Sequence, residues 1–504
     1  MTGTSERADL GDIGDAADPG RGGEPGQPPA ERSDRPLELA ASFPPITGEE
    51  WERLAAAVLS RGGAALEPAA AMARLTSQTL DGIAIRPLYT AADAPGDAGL
   101  PGQAPYLRAA TPAAGALSGW DIRIRVDAAT AGDPAEAVLA DLANGASSVW
   151  LQFADGARPG LDLAALAQLL RDVHLDLAPI VLDAGARAAE AAGALLELAR
   201  ERGIADGELA AVLGADPVGL AARAGSGAAE SPGAPGSPIV DYAPLRALAV
   251  RVNGAYPRVR AAVVDATVFH EAGATDAQQL ALALATGVAY LRELIGAGLS
   301  PAEAAAQLEF RYGVSDEQFP TIAALRAARR MWAQVTEASG VPGGAGQVQP
   351  AVTSWAMLSR HDLPVNILRG AVAAFAAGVG GAAAVTVLPF DLATGTDSVL
   401  SRRVARNTSA LLIEESNIGR VIDPGGGSWY IEALSEDLAA AAWAIFQQIE
   451  SAGGIAEALG SGWVSQQLSA SRAKRDADLA RRKIPLTGVS EFPNLAEPPP
   501  PGSE

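Results

Sequence analysis

The sequence predicts an α/β fold of parallel strands joined by crossover helices, on two observations. Short β-rich runs alternate with longer Ala- and Leu-rich stretches of helical period, and this order repeats through the body of the chain. The 504 residues are 48% hydrophobic but only 5% aromatic, so small aliphatic side chains must build a globular core. The predicted strands, in order, are 122–126 (IRIRV), 148–153 (SVWLQF), 180–183 (IVLD), 261–269 (AAVVDATVF) and 383–388 (AAVTVL). The predicted helices are 134–144, opening on Pro134, then 186–202, 276–295 and 367–377. Thr275 precedes the third of these, where its hydroxyl is placed to accept from an orphan amide. Periodicity does not separate a closed α/β barrel from an open doubly wound sheet.

The body runs from about Phe43 to Lys483. Residues 1–42 are rich in Gly, Pro, Asp and Glu without a hydrophobic period, and read as a disordered or partner-wrapping tail. Residues 484–504 finish in four prolines, Pro498 to Pro501, and read as a proline-rich tail or truncated linker. A flexible loop is expected over 224–237, AGSGAAESPGAPGS.

Composition narrows function by exclusion. The 59 acidic residues against 38 Lys and Arg give a formal charge of −21, which repels nucleic-acid phosphates and anionic lipid. With no cysteine, thiolate nucleophiles, disulfides and iron–sulfur ligation are out. The sequence offers neither a basic, apolar leader nor an 18-residue apolar run, so a cytoplasmic chain is expected.

Only His174, His270 and His361 supply imidazoles, and they are far apart. His270 draws attention because it ends an apolar run where a strand end would project into a site; an ordinary hydrogen-bonded histidine is the default reading of all three. The run Asp423-Pro-Gly-Gly-Gly-Ser428 lacks the spacing of a nucleotide fingerprint and reads as a structural turn. Ser409 and Ser416 have no neighbouring base, and Glu414 and Glu415 point apart, so neither pair reads as catalytic. Arg326, Arg329 and Arg330, and Arg402, Arg403 and Arg406, share helical faces and are expected to pair with acids.

Several stretches resemble the adenosylcobalamin-dependent acyl-CoA mutase family, methylmalonyl-CoA mutase above all. The longest is 403–459, RVARNTSALLIEESNIGRVIDPGGGSWYIEALSEDLAAAAWAIFQQIESAGGIAEAL; 81–93 (DGIAIRPLYTAAD), 99–102 (GLPG), 271–274 (EAGA) and 326–332 (RAARRMW) follow the same order as in the family. The resemblance implies a (β/α)8 TIM-type barrel with acyl-CoA threading its axis. Full-length family members continue into a cobalamin-binding, flavodoxin-like domain with an Asp-x-His-x-x-Gly motif, which is not found here, so no such domain is expected.

The departures carry the functional reading. Catalytic members run Trp-Thr-Ile-Arg-Gln-Tyr where this chain has Trp120-Asp-Ile-Arg-Ile-Arg125, and Gly-Tyr-His-Met-Gln where it has Ala266-Thr267-Val268-Phe269-His270. A Gln-Ser-Leu-His-Thr-Asn stretch corresponds to Ala383–Leu388. Donors for thioester and coenzyme are lost, and an interior made apolar by Val268, Val385 and Val387 is expected. Losing one such donor typically costs several kcal/mol of transition-state stabilisation. The pattern, with 485–495 (PLTGVSEFPNL), resembles the small, non-catalytic subunit of the heterodimeric enzyme. It implies a large (alpha) catalytic subunit as partner, adenosylcobalamin bound by that subunit, and no catalytic, cofactor-binding or metal residue in this chain. Arg223 is a loose candidate for a carboxylate-binding arginine. The alternatives are the substrate barrel of a split mutase with a separate cobalamin-domain chain, and a non-enzymatic barrel scaffold.

Overall fold

A computed structural model of the chain describes residues 46–61, 63–111, 119–155, 158–226, 240–395 and 397–497. The expected tail over 1–42 and most of the 224–237 loop lie outside these residues. The chain divides into two compact units, residues 1–71 and 72–504. Within the first, the helix Gly48–Leu59 begins at Thr47, whose hydroxyl accepts from the Glu50 amide.

The second unit is built on eight parallel strands that close on themselves: β1 (Asp121–Val126), β2 (Ser148–Gln152), β3 (Ile180–Asp183), β4 (Ala211–Ala215), β5 (Val259–Asp265), β6 (Leu308–Val314), β7 (Pro350–Thr353) and β8 (Ala384–Thr386). Closure comes from β8, which pairs with β7 on one side and, through Ala384 against Asp121, with β1 on the other. The sheet is therefore a barrel, not an open doubly wound sheet. No flavodoxin-like sheet accompanies it among the described residues; the other sheet there is the hairpin Ser77–Gln78 and Ala84–Ile85.

Alternation along each strand sends one set of side chains outward to the helices. Ile124 and Val126 of β1, Val149 and Leu151 of β2 and Phe310 of β6 join a single core with Leu195, Leu248, Leu284 and Trp332 from the surrounding helices. Trp332, on the helix Gln318–Ala338, packs its ring 4.7 Å from that of Phe310. The helix Asp276–Gly296 opens on a capping box in which Thr275 and Gln278 satisfy each other's amides, as the sequence indicates. Gly214 supplies the one kink in the sheet: its φ is +76°, the register shifts between Val212 and Ala215, and a Cβ there would stand 1.9 Å from the Leu182 carbonyl oxygen.

One predicted boundary is corrected, and three strands are added. The strand expected over 261–269 stops at Asp265, because the Asp265 carboxylate accepts from both the amide and the hydroxyl of Thr267 and starts the short helix Thr267–Glu271. β4, β6 and β7 had no counterpart among the predicted strands. C-terminal to the last long helix, Trp463–Ala480, the Thr487 carbonyl accepts from Arg369 at 2.6 Å and the Glu497 carboxylate from the Asp362 amide at 2.8 Å.

Candidate functional site: the barrel axis and its mouth

Inside the barrel the inward set is mixed, charged on β1 and β6 and apolar around Trp150. From β1, Arg123 donates through Nη1 to Glu309 of β6 at 2.9 Å and through Nε to Ser148 of β2 at 3.1 Å. β1 and β6 are not neighbours in the sheet, so this pair crosses the lumen. Both partners are buried, Arg123 at 8% and Glu309 at 2% exposure. Closer to the C-terminal ends of the strands, the Arg311 guanidinium lies 3.9 Å from the ring centre of Trp150, and its Nη1 is 3.2 Å from Asp265. Trp150 also packs on Val181, Val212, Val263 and Val352, one residue from each of four other strands. The axis is a packed plug of large side chains.

This corrects the expectation of an interior made apolar by Val268, Val385 and Val387, since the apolar side chains inside come from other residues. Val385 belongs to the outer core between strands and helices, and Val387 packs against that same core. Ala384 and Thr386 take the inward positions of β8, level with Asp121 of β1 and with Val352 of β7, which belongs to the inner cluster. Val268 alone of the three lines the mouth.

Above the plug lies a cavity of about 670 Å³. Its walls come from the strand ends and loops, including Arg125, Arg158, Arg223 and Thr267, and from the helices Ile455–Gly460 and Trp463–Ala480, which contribute Leu459, Val464, Leu468 and Arg472. Arg125, where the resemblance expects a tyrosine, is held 3.0 Å from Asp127. Arg158 bridges Asp183 at 2.7 Å and Asp155 at 3.3 Å. Burial alone would raise the Asp183 carboxyl, but the guanidiniums of Arg158, Arg223 and Arg311 outweigh it and bring it down to about 2. Glu271 moves upward, through burial and then the neighbouring Asp265 charge. Arg223, the loose candidate, stands 3.7 Å from Asp265 in the same wall.

The histidines stay apart. His270 is on the Thr267–Glu271 helix, not a strand end, buried with Nε2 2.8 Å from Ser354 Oγ. Burial pushes its imidazole down to about 4, so it is neutral at physiological pH. His174 is exposed, and His361 stands 3.7 Å from Glu497. No histidine lines the 670 Å³ cavity.

Four of the six clustered arginines pair with acids as expected; Arg329 and the exposed Arg403 form no ion pair with a described residue. Arg326 is fully buried against Asp423 and Glu432, Arg330 meets Glu436, and Arg402 and Arg406 converge on Asp141. Arg329 instead donates to the carbonyls of Tyr106, Leu107 and Gly380. The Asp423–Ser428 run is a structural turn: Asp423 anchors Arg326 and Arg108, and Ser428 caps the helix Trp429–Ser451. Ser409 accepts from the Trp120 indole at 3.2 Å, a packing contact.

Sequence reasoning missed Trp150, Arg158, Glu309 and Arg311. A signal was present: in Leu308-Glu-Phe-Arg-Tyr312 charged and apolar residues alternate with a period of two, the mark of a strand whose inner face is charged.

With that geometry in hand, the comparisons are direct. The family described as methylmalonyl-CoA mutase matches residues 78–168 and 162–502. A methylmalonyl-CoA mutase small subunit from Streptomyces virginiae is 48% identical over 466 residues, 92% of this chain and 73% of the relative. The small subunit from Propionibacterium freudenreichii subsp. shermanii is 40% identical over 465 residues, 91% of this chain and 70% of the relative. The Escherichia coli protein named methylmalonyl-CoA mutase is 29% identical over 468 residues, 88% of this chain and 64% of the relative.

Proposed function

The chain belongs to the methylmalonyl-CoA mutase family, and from that premise we propose that it is the non-catalytic small subunit of a heterodimeric enzyme whose large subunit interconverts methylmalonyl-CoA and succinyl-CoA. The observation that supports this reading most strongly is the filled axis. An acyl-CoA chain threaded through the barrel would have to displace the Arg123–Glu309 pair and the Arg311–Trp150 stack. Separating the first pair alone strips two ions of their partners in a low-dielectric interior.

Chemistry at the mouth points the same way. A carbon-skeleton rearrangement through radicals needs a positioned donor at the thioester carbonyl and a site closed to water. Val268 offers no donor, the Thr267 hydroxyl is spent on Asp265, and Arg125 is spent on Asp127. Adenosylcobalamin supplies the radical in this family, and in this reading the large subunit binds it. The cavity lining does not fit cobalt ligation, since it contains no histidine.

The test is reconstitution. Co-expressed with the large subunit, this chain is expected to give a 1:1 complex that isomerises methylmalonyl-CoA. Alone, it should leave the adenosylcobalamin spectrum unchanged and show no turnover. Turnover by a complex in which only the large subunit's site has been inactivated would overturn the reading. Turnover by this chain with a separate cobalamin-domain protein would favour a split mutase instead.

A further inference from the structure

We propose that the large subunit docks on an apolar face formed by the two barrel helices that follow β7 and β8, together with the C-terminal segment tied to the first of them. The proposal rests on the reading above and narrows it to one surface.

The face begins on the helix Leu363–Val379. Its single charged residue, Arg369, is buried and donates to the Thr487 carbonyl, so the residues it exposes are Pro364, Leu368 and Val372. A helix on the outside of a globular protein ordinarily turns polar residues to solvent. The barrel helix Ala188–Glu201 does so, exposing Glu190, Glu197, Arg200 and Glu201. Leu363–Val379 instead leaves Leu368 64% exposed, with Val372 one turn further on. The neighbouring helix Val399–Glu414 packs against it and exposes Leu400, at 62%, and Leu411 about three turns later on the same side. The turn Ile418–Arg420 touches both helices and leads into the exposed Val421. The C-terminal segment is tied to the first helix through Arg369 and to its cap through the Asp362 amide, yet its Phe492 is 86% exposed. Ordering that segment costs conformational entropy, and the free chain buries no phenylalanine there in return.

Size and charge choose the occupant. A helix length of about 25 Å across two helix widths of about 10 Å gives a footprint of roughly 500 Å², before the C-terminal segment is added. Monomers rarely expose apolar patches beyond a few hundred Å², and one side of a stable protein interface takes about 800 Å². The footprint is therefore that of a protein partner. The exposed residues of the two helices include one cation, Arg403, and one acid, Glu414, so the face itself is neutral. The formal charge of −21 on the whole chain repels anionic lipid, and a second copy would bring the same charge against it. What fits is a different protein with an apolar face of its own, and the reading above already requires one, the large subunit.

The test is a titration of the labelled full chain with the purified large subunit, with sedimentation of the chain alone beside it. The double variant Leu368→Glu/Leu400→Glu places two charges in the face. Both side chains are exposed in the free chain, so its melting curve should overlay the parent's. Burying one leucine is worth about tenfold or more in affinity, so the double variant should bind the large subunit at least about a hundredfold more weakly. Phe492→Ala should weaken binding about tenfold. Val250→Glu, an exposed change on the helix Ala243–Val252, should bind within about twofold of the parent. Equal affinity in the parent and the double variant overturns the proposal and leaves the complex, and with it the reading above, intact. So does a loss of the same size in Val250→Glu. A parent chain that sediments alone as a dimer, and that the double variant turns to monomer, gives the face to a second copy and also overturns the proposal. A parent that does not bind the large subunit at all sinks the reading above and this proposal with it.

Discussion

Opening the axial pair gives a quantitative test of the plug. Glu309→Gln keeps the side-chain shape but removes the charge facing Arg123 Nη1 at 2.9 Å, in a place where Glu309 is 2% exposed. Breaking a buried ion pair by removing one partner typically costs about 3–5 kcal/mol. Arg123 retains Asp121, but at 3.4 Å and with that carboxylate 23% exposed, so the expected cost falls to about 2–4 kcal/mol. Arg123→Met strands Glu309 in the same way and should cost a similar amount. The double variant Arg123→Met/Glu309→Leu replaces the pair by apolar groups of like volume and should return to within about 1 kcal/mol of the parent. A double-mutant cycle on urea midpoints, closed with the Glu309→Leu single variant, should therefore give a coupling energy of at least about 2 kcal/mol. Single costs that simply add, with coupling below about 0.5 kcal/mol, would show that the two side chains do not meet across the lumen.

Two further outcomes follow from the same electrostatics. The His270 imidazole is lowered by burial from the ordinary 6.5 to about 4, so the unfolded chain binds the extra proton first. Stability is complete above pH 6.5 and falls by up to about 3 kcal/mol as pH drops through 4; His270→Gln should flatten melting temperature over that window, and a parallel slope would contradict the assignment. Asp423→Asn leaves the fully buried Arg326 with Glu432 alone and should cost about 2–4 kcal/mol by denaturant midpoint, whereas Arg330→Ala, whose pair with Glu436 is over a third exposed, should cost no more than about 1. Equal costs would mean that burial does not set the strength of these pairs.

What the sequence disclosed follows the reach of local physics. Ile122-Arg-Ile-Arg-Val126 and Ile180–Asp183 carry strand patterns strong enough to read, and both strands form. β4, Ala-Val-Leu-Gly-Ala, has one β-branched residue and an internal glycine, so nothing in it favours a strand until the neighbours Ile180 and Val259 pair with it. The overextended strand over 261–269 fails for the opposite reason. Thr267-Val-Phe suits either structure, and one carboxylate, Asp265, decides for the turn. Closure was out of reach of periodicity, because it rests on Ala384 meeting Asp121 across more than 260 residues. At the mouth, the substitutions at Arg125, Thr267 and Val268 were legible through the resemblance. Their consequence was not, since an unpaired donor and a paired one look alike in sequence, even with Asp127 and Asp265 only two residues away.

On the proposed reading of a non-catalytic subunit, the pairing itself explains how a barrel can leave catalysis and remain a stable fold. A catalytic cavity keeps donors pointed at where charge will develop, and those donors stay unsatisfied until substrate arrives, at a cost to the empty protein. Here Arg123, Arg125 and Thr267 have acceptors of their own in Glu309, Asp127 and Asp265, so the empty barrel leaves none of these three waiting. Such a barrel does not need acyl-CoA to hold its shape.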